Sequence, residues 1–201
     1  MIIHNCGNKS DNKISLTFDD GPNPYWTVKV LDLLDKHNIK ATFFVLGKWA
    51  EKNKEIVKEI KKRGHLIGNH SYSHSKDNVF YPNEFEKAEK IISEIIGEPT
   101  KFIRPPYLKD FCGKYEPVLN GRVEVIYGKL LNDWCESVEN IYNLAERNIE
   151  GGDIIILHDG SENFDELESR PKNMFESLPK IIDLLKEKGL DFVTLDKMIF
   201  K

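Results

Sequence analysis

No window of the chain approaches the roughly 18 uninterrupted apolar residues of a membrane span. The first residues, Met1-Ile2-Ile3-His4-Asn5-Cys6, lack the charged and apolar regions of a signal peptide. A soluble chain is expected, extracellular or wall-associated if a leader has been removed and cytoplasmic otherwise. Cysteine is scarce: Cys6, Cys112 and Cys135 are odd in number and show no CxxC spacing, so they signal neither a disulfide framework nor a thiolate zinc site. Charge of one sign is also missing, since 29 Lys and Arg stand against 33 Asp and Glu for a net of -4. The longest basic run, Lys61-Lys62-Arg63, sits where a helix ends and complements its dipole, which argues against nucleic acid as a partner. There is no Pro/Gly/Ser-rich interruption, internal repeat or low-complexity stretch. With 201 residues, 40% of them hydrophobic, residues 1–201 are expected to form one domain around one core, as a monomer.

What is present is an alternation of short β-rich segments with amphipathic helical ones, the pattern of a parallel sheet covered by helices. Strands are expected at 14–18, 41–46, 65–69, 102–103, 124–127, 153–157 and 192–195, and helices at 28–37, 51–63, 84–96, 140–149 and 171–188. Gly64 follows the second helix where a left-handed cap is easiest. About seven βα units give an α/β fold, a distorted and shortened (β/α) barrel, because a full eightfold barrel typically needs about 250 residues. An open doubly wound sheet is the alternative, but its GxGxxG signature is missing.

The unusual residues cluster where strands end, and in parallel α/β folds those ends share one face. Thr17-Phe18-Asp19-Asp20-Gly21-Pro22 follows the first strand and Asn69-His70-Ser71-Tyr72-Ser73-His74 the third; Arg104-Pro105-Pro106-Tyr107, Asp133-Trp134 and Leu157-His158-Asp159 follow later ones. The four-residue spacing of His70 and His74 puts two imidazoles on one side of a helical turn, within reach of one cation. A lone HxxxH is weak evidence. Two imidazoles with the Asp20 carboxylate form a donor set that leaves a coordination position open for water.

Asp19-Asp20 alone reads as a turn. In an extended segment, though, neighbouring carboxylates point in opposite directions, so one can bind the ion while the other takes a proton. Arg104 and a metal would offset their mutual repulsion. The two prolines of Arg-Pro-Pro-Tyr stiffen the loop and make the Tyr107 amide a positioned donor. His158, ending the most apolar strand, suits protonation of a leaving group, with Asp133 orienting it and Trp134 and Leu157 walling a small apolar pocket. His4, His37 and His65 lack such company and receive no role.

Together, Thr-Phe-Asp-Asp-Gly-Pro, His-Ser-x-x-His, Arg-Pro-Pro-Tyr, Asp-Trp and Leu-His resemble the polysaccharide deacetylase family, the NodB-type domain of carbohydrate esterase family four, from Thr17 to about Leu195. The resemblance implies a hydrolase acting on linear amide C–N bonds. Its reaction would be metal-dependent removal of N-acetyl groups from N-acetylglucosamine in cell-wall peptidoglycan or chitooligosaccharide. O-acetyl cleavage on xylan, or a non-catalytic carbohydrate-binding role, is the alternative. By the same resemblance, Asp20, His70 and His74 hold zinc, cobalt or nickel. Asp19 is the general base tuned by Arg104, His158 is the general acid tuned by Asp133, and the Tyr107 amide helps hold the oxyanion. Two positions depart from the family pattern: Leu108 replaces the usual glycine, and Leu131-Asn132 precede Asp133 where an acid is common.

Overall fold

A computed structural model describes residues 2–3, 11–76, 81–108 and 121–199; His4, Cys6 and Cys112 lie outside these. The described strands are β1 (Ile2–Ile3), β2 (Lys13–Asp19), β3 (Thr42–Val45), β4 (Leu66–Asn69), β5 (Phe102–Ile103), β6 (Val123–Val125), β7 (Lys129–Leu130), β8 (Ile154–His158) and β9 (Asp191–Phe192). They pair in the order β1-β6-β5-β4-β3-β2-β8-β7, with β9 on β2, and every pairing is parallel. The sheet curls into a shortened half-barrel. All seven anticipated strands are present; β1 and β7, each two residues long, were too short to give a period-2 signal.

Strand alternation makes two cores. On β2, Ile14, Leu16 and Phe18 join a large cluster with Phe43, Val45 and Ile67 from the neighbouring strands. The helices α1 (Thr27–Lys36), α3 (Lys54–Lys62), α4 (Tyr81–Ile96), α5 (Val138–Asn148) and α6 (Lys172–Glu187) close that layer with Leu31, Ile60, Ile92, Ile141 and Leu178. The opposite face of the sheet encloses a smaller cluster of Phe44, Phe102, Val125 and Ile154, with Leu195 from the terminal helix α7 (Leu195–Ile199). Space inside the curl is tight: a Cβ on Gly68 would meet the Phe44 ring at 2.5 Å. Among the described residues no helix is long and apolar enough to cross a membrane.

The expected helix 51–63 is instead two. A short α2 (Gly47–Lys52) ends at Asn53, whose backbone is non-helical (φ -124°, ψ 47°) and whose amide donates back to the Trp49 carbonyl at 3.1 Å. An asparagine that bonds its own backbone competes with the helix ladder. α3 then stops as expected, with Gly64 at φ +79° and its N–H on the Lys61 carbonyl. At α5, Ser137 caps the first turn by accepting from Asn140 N–H at 3.2 Å.

Candidate active site

The carboxyl end of the sheet carries the site. Parallel register places Asp19 of β2 directly beside His158 of β8. On β2 the face opposite the large core carries Ser15, Thr17 and Asp19, all buried, so the inside of the curl turns polar towards its mouth. Arg104, fully buried just after β5, fills that interior. It donates to Thr17 Oγ1 at 2.8 Å and to Asp19 Oδ1 at 2.7 Å, and its guanidinium lies 4.1 Å from the Phe44 ring centre. Burial disfavours the charged guanidinium and lowers its pKa, and Asp19 offsets part of that, a pair in which each partner makes the other's burial tolerable.

Asp20 does not continue the strand. Its φ of +70° turns the chain, so both carboxylates face one cavity, where the extended-segment argument had them diverge. Nor do His70 and His74 share a helical turn: they flank an irregular loop with Ser71 at φ +72° and His74 at φ +65°. The loop still brings both rings to Asp20. His70 Nε2 lies 3.5 Å and His74 Nε2 3.6 Å from Asp20 Oδ1, and one ligand atom from each residue falls within 4.8 Å of the others.

These residues fit a cation. Asp20 Oδ1 is buried and has no hydrogen-bond partner among the described residues. His70 donates Nδ1–H to the Arg104 carbonyl at 2.7 Å, which leaves the Nε2 lone pair facing Asp20. Burial, followed by neighbouring His74, lowers the His70 pKa to about 3, so the ring is neutral, as a ligand must be. Donors held at about 2.0–2.1 Å around a tetrahedral zinc lie about 3.3 Å apart, close to the separations found.

Across the cavity, His158 Nδ1 donates to Asp133 Oδ1 at 2.9 Å, and the His158 backbone N–H donates to Asp133 Oδ2 at 2.7 Å. Burial alone would depress this imidazole. The Asp133 charge and hydrogen bond outweigh it, with Asp20 and Asp19 adding to them, and the pKa is pushed up to about 9. Trp134 packs edge-on against the His158 ring at 5.2 Å.

The cavity, ≈ 340 Å³, is lined by Asp19, Asp20, His70, His74, His158 and the rings of Tyr107 and Trp134, among others. Tyr107 packs edge-on against His74 and sits on a 3-10 turn at φ +60°, with Leu108 at φ +53°. Left-handed backbone is costly at Leu108, and a glycine there would be free of that strain.

Arg104 and Asp133 stand behind the lining residues, against Asp19 and His158. Leu157 is a correction: it is fully buried in the large core, and Ile156 lines the cavity instead. His158 and Ile156 are two apart on β8 and share a face that Leu157 cannot. Sequence reasoning passed over the far wall, Glu162 and Arg170, which pair at 2.7 Å. It also passed over buried Asp159, pressed so close to Gly21 that a Cβ there would meet its carboxylate at 2.6 Å. Cys135, beside Trp134, is exposed.

Comparison with known proteins agrees with this geometry. The polysaccharide deacetylase family model matches residues 7–115. The chain is 38% identical to a peptidoglycan-N-acetylglucosamine deacetylase of Bacillus cereus, covering 92% of this chain and 68% of that one. It is 35% identical to a bifunctional xylanase/deacetylase of Pseudobutyrivibrio xylanivorans, over 97% of this chain but 32% of that much longer protein. A crystal structure of a peptidoglycan N-acetylglucosamine deacetylase superposes with a TM-score of 0.88 at 37% identity, over 96% of this chain and 90% of that one.

Proposed function

The chain belongs to the polysaccharide deacetylase family, and from that premise we propose that residues 1–201 form one metal-dependent domain that hydrolyses N-acetyl groups on N-acetylglucosamine-containing glycans. The observation that carries this reading is the convergence of Asp19, the Asp20–His70–His74 donor set and His158 on one cavity. Peptidoglycan is the favoured substrate, since relatives at 38% and 33% identity carry that name. Zinc suits two imidazoles and a carboxylate, and cobalt or nickel can take the same donors.

A divalent cation held by Asp20, His70 and His74 would polarise the acetyl carbonyl and lower the pKa of a bound water towards about 7. Asp19, 3.9 Å from His70 Nε2, takes the proton of the attacking water. Arg104 holds the Asp19 carboxylate in place from below. As the carbonyl becomes tetrahedral, the Tyr107 N–H donates to the developing oxyanion, a contact typically worth about 3 kcal/mol. His158, kept doubly protonated by the Asp133 carboxylate on its Nδ1–H, passes its Nε2 proton to the departing amine, and acetate is released. Trp134, Ile156 and Leu130 offer apolar surface to the acetyl methyl.

Acetate release from chitooligosaccharide, peptidoglycan and acetylated xylan, with and without a chelator, tests the reading. Chelator-sensitive release from the amide substrates is expected. Release that a chelator leaves untouched would refute metal dependence. Cleavage confined to xylan would favour the second reading, O-deacetylation, supported by the resemblance to the xylanase/deacetylase.

A further inference from the structure

The His70–His74 loop has an unfavourable backbone, with two non-glycine residues at positive φ. What holds it lies on another element, at the turn from β3 into α2. The Gly47 N–H donates to the Ser71 carbonyl at 2.9 Å and the Lys48 N–H to the Tyr72 carbonyl at 3.0 Å. The Lys48 ammonium reaches the next carbonyl, Ser73, at 3.2 Å. Three successive carbonyls between the two histidines are thus received by two residues. From the other side Glu84 of α4 accepts both the N–H and the hydroxyl of Ser73.

The same short segment grips the rest of the pocket. The Leu46 N–H donates to the Gly21 carbonyl at 2.8 Å, one residue past Asp20. Lys48 Nζ donates to the Glu162 carbonyl at 2.6 Å, and the Trp49 indole to the Ser161 carbonyl at 2.8 Å. One ammonium therefore bridges the loop bearing His74 and the loop bearing the Glu162–Arg170 wall, which are some 90 residues apart in sequence.

We propose that Lys48 is a positioning residue: by tying the Ser73 and Glu162 carbonyls together it fixes His74 for a divalent cation and sets the far wall of the substrate pocket relative to it. The proposal rests on the metal-dependent reading of the site. It differs from a purely structural role, in which a half-buried lysine would add stability and leave ligand geometry unaffected. Groups that orient a metal ligand typically change metal affinity 10- to 100-fold when removed. Lys48 acts on His74 through the Ser73 carbonyl, directly before it in the chain.

The test titrates the metal-free wild type and the Lys48→Met and Lys48→Arg variants with Co²⁺, read by visible absorbance. Amide hydrogen exchange over residues 70–76 and thermal melting accompany it. Lys48→Met keeps the apolar stem and loses the donor; Co²⁺ affinity is expected to fall about 10- to 100-fold, with faster exchange at 71–74. Lys48→Arg, which retains donors, is expected to recover most of the affinity. Should Lys48→Met precipitate, Lys48→Gln, whose shorter amide cannot span both carbonyls, carries the same expectation with a smaller loss. Affinity within about twofold of wild type, with a lowered melting temperature, would make Lys48 merely structural and overturn the proposal. A wild-type chain that binds no Co²⁺ overturns the metal reading instead. In that event, unchanged exchange at 71–74 in Lys48→Met still refutes the clamp, and faster exchange upholds it.

Discussion

Replacing Asp133 with Asn removes the charge that holds the His158 proton while keeping a side chain of the same shape. The rise of the His158 pKa from 6.5 to about 9 corresponds to a differential interaction of about 3 kcal/mol between the charged and neutral ring. Burial opposes that rise, so without Asp133 the pKa returns to about 6.5 or below. Because the raised group is the acid, its working form persists up to pH of about 9 and is lost above it. At pH 7.5 a group with a pKa of 9 is about 97% protonated and one at 6.5 about 9%, so protonation alone costs the variant about tenfold at that pH. The assay is kcat/KM for acetate release from a chitooligosaccharide between pH 5 and 10. The alkaline limb is expected near 9 in the wild type and near 6.5 or lower in Asp133→Asn, whose deficit narrows as the pH falls towards 5.5. A variant whose alkaline limb stays near 9 would refute the claim that Asp133 sets the proton affinity of His158.

Other consequences follow from the interior. Arg104→Met leaves the Asp19 carboxylate buried without its cation and is expected to cost about 3–5 kcal/mol in a denaturant titration; a loss under about 1 kcal/mol would mean the pair is better solvated than its burial shows. Phe18→Ala, in the middle of β2 and stacked on Phe43 at 5.0 Å, is expected to cost about 3–5 kcal/mol by opening a cavity in the large core. His65 is buried and its pKa is lowered to about 4, chiefly by burial, with Nδ1 accepting from the Ala41 N–H. Its folded pKa is depressed, so the unfolded chain takes up the extra proton as pH falls through 6.5. The wild type is therefore expected to lose about 2 kcal/mol more stability than His65→Gln between pH 7 and pH 5. Equal losses in urea titrations would show that His65 titrates freely in the folded chain.

Much of this was legible in the sequence because motifs at strand ends and alternation along strands are local signals. The seven main strands follow from β-rich runs between amphipathic helices, and parallel order alone sends residues 19, 70, 104, 133 and 158 to one face. Backbone detail was less accessible. A four-residue histidine spacing serves a helical turn or an irregular loop equally well, and nothing at Ser71 or His74 announces positive φ. Adjacency misled at Leu157: the residue one before His158 is its nearest neighbour in the chain, yet two-residue alternation gives the cavity to Ile156. Lys48, Glu162 and Arg170 were invisible because charged residues on short helices and loops look like solvated surface until the fold sets their carbonyl partners beside them. The single helix break at Asn53 is hidden for a related reason, since an asparagine within an apolar periodicity does not reveal which backbone group its amide will reach.

The central claim is that Asp20, His70 and His74 hold a cation beside a separate proton acceptor, Asp19. Metal content by mass spectrometry, measured on the same samples as acetate release, tests it most directly. Asp19→Asn is expected to keep about one ion per chain and lose turnover, whereas His74→Ala loses both. A fully active Asp19→Asn protein, or a His74→Ala protein that still carries a full complement of metal, would contradict the account.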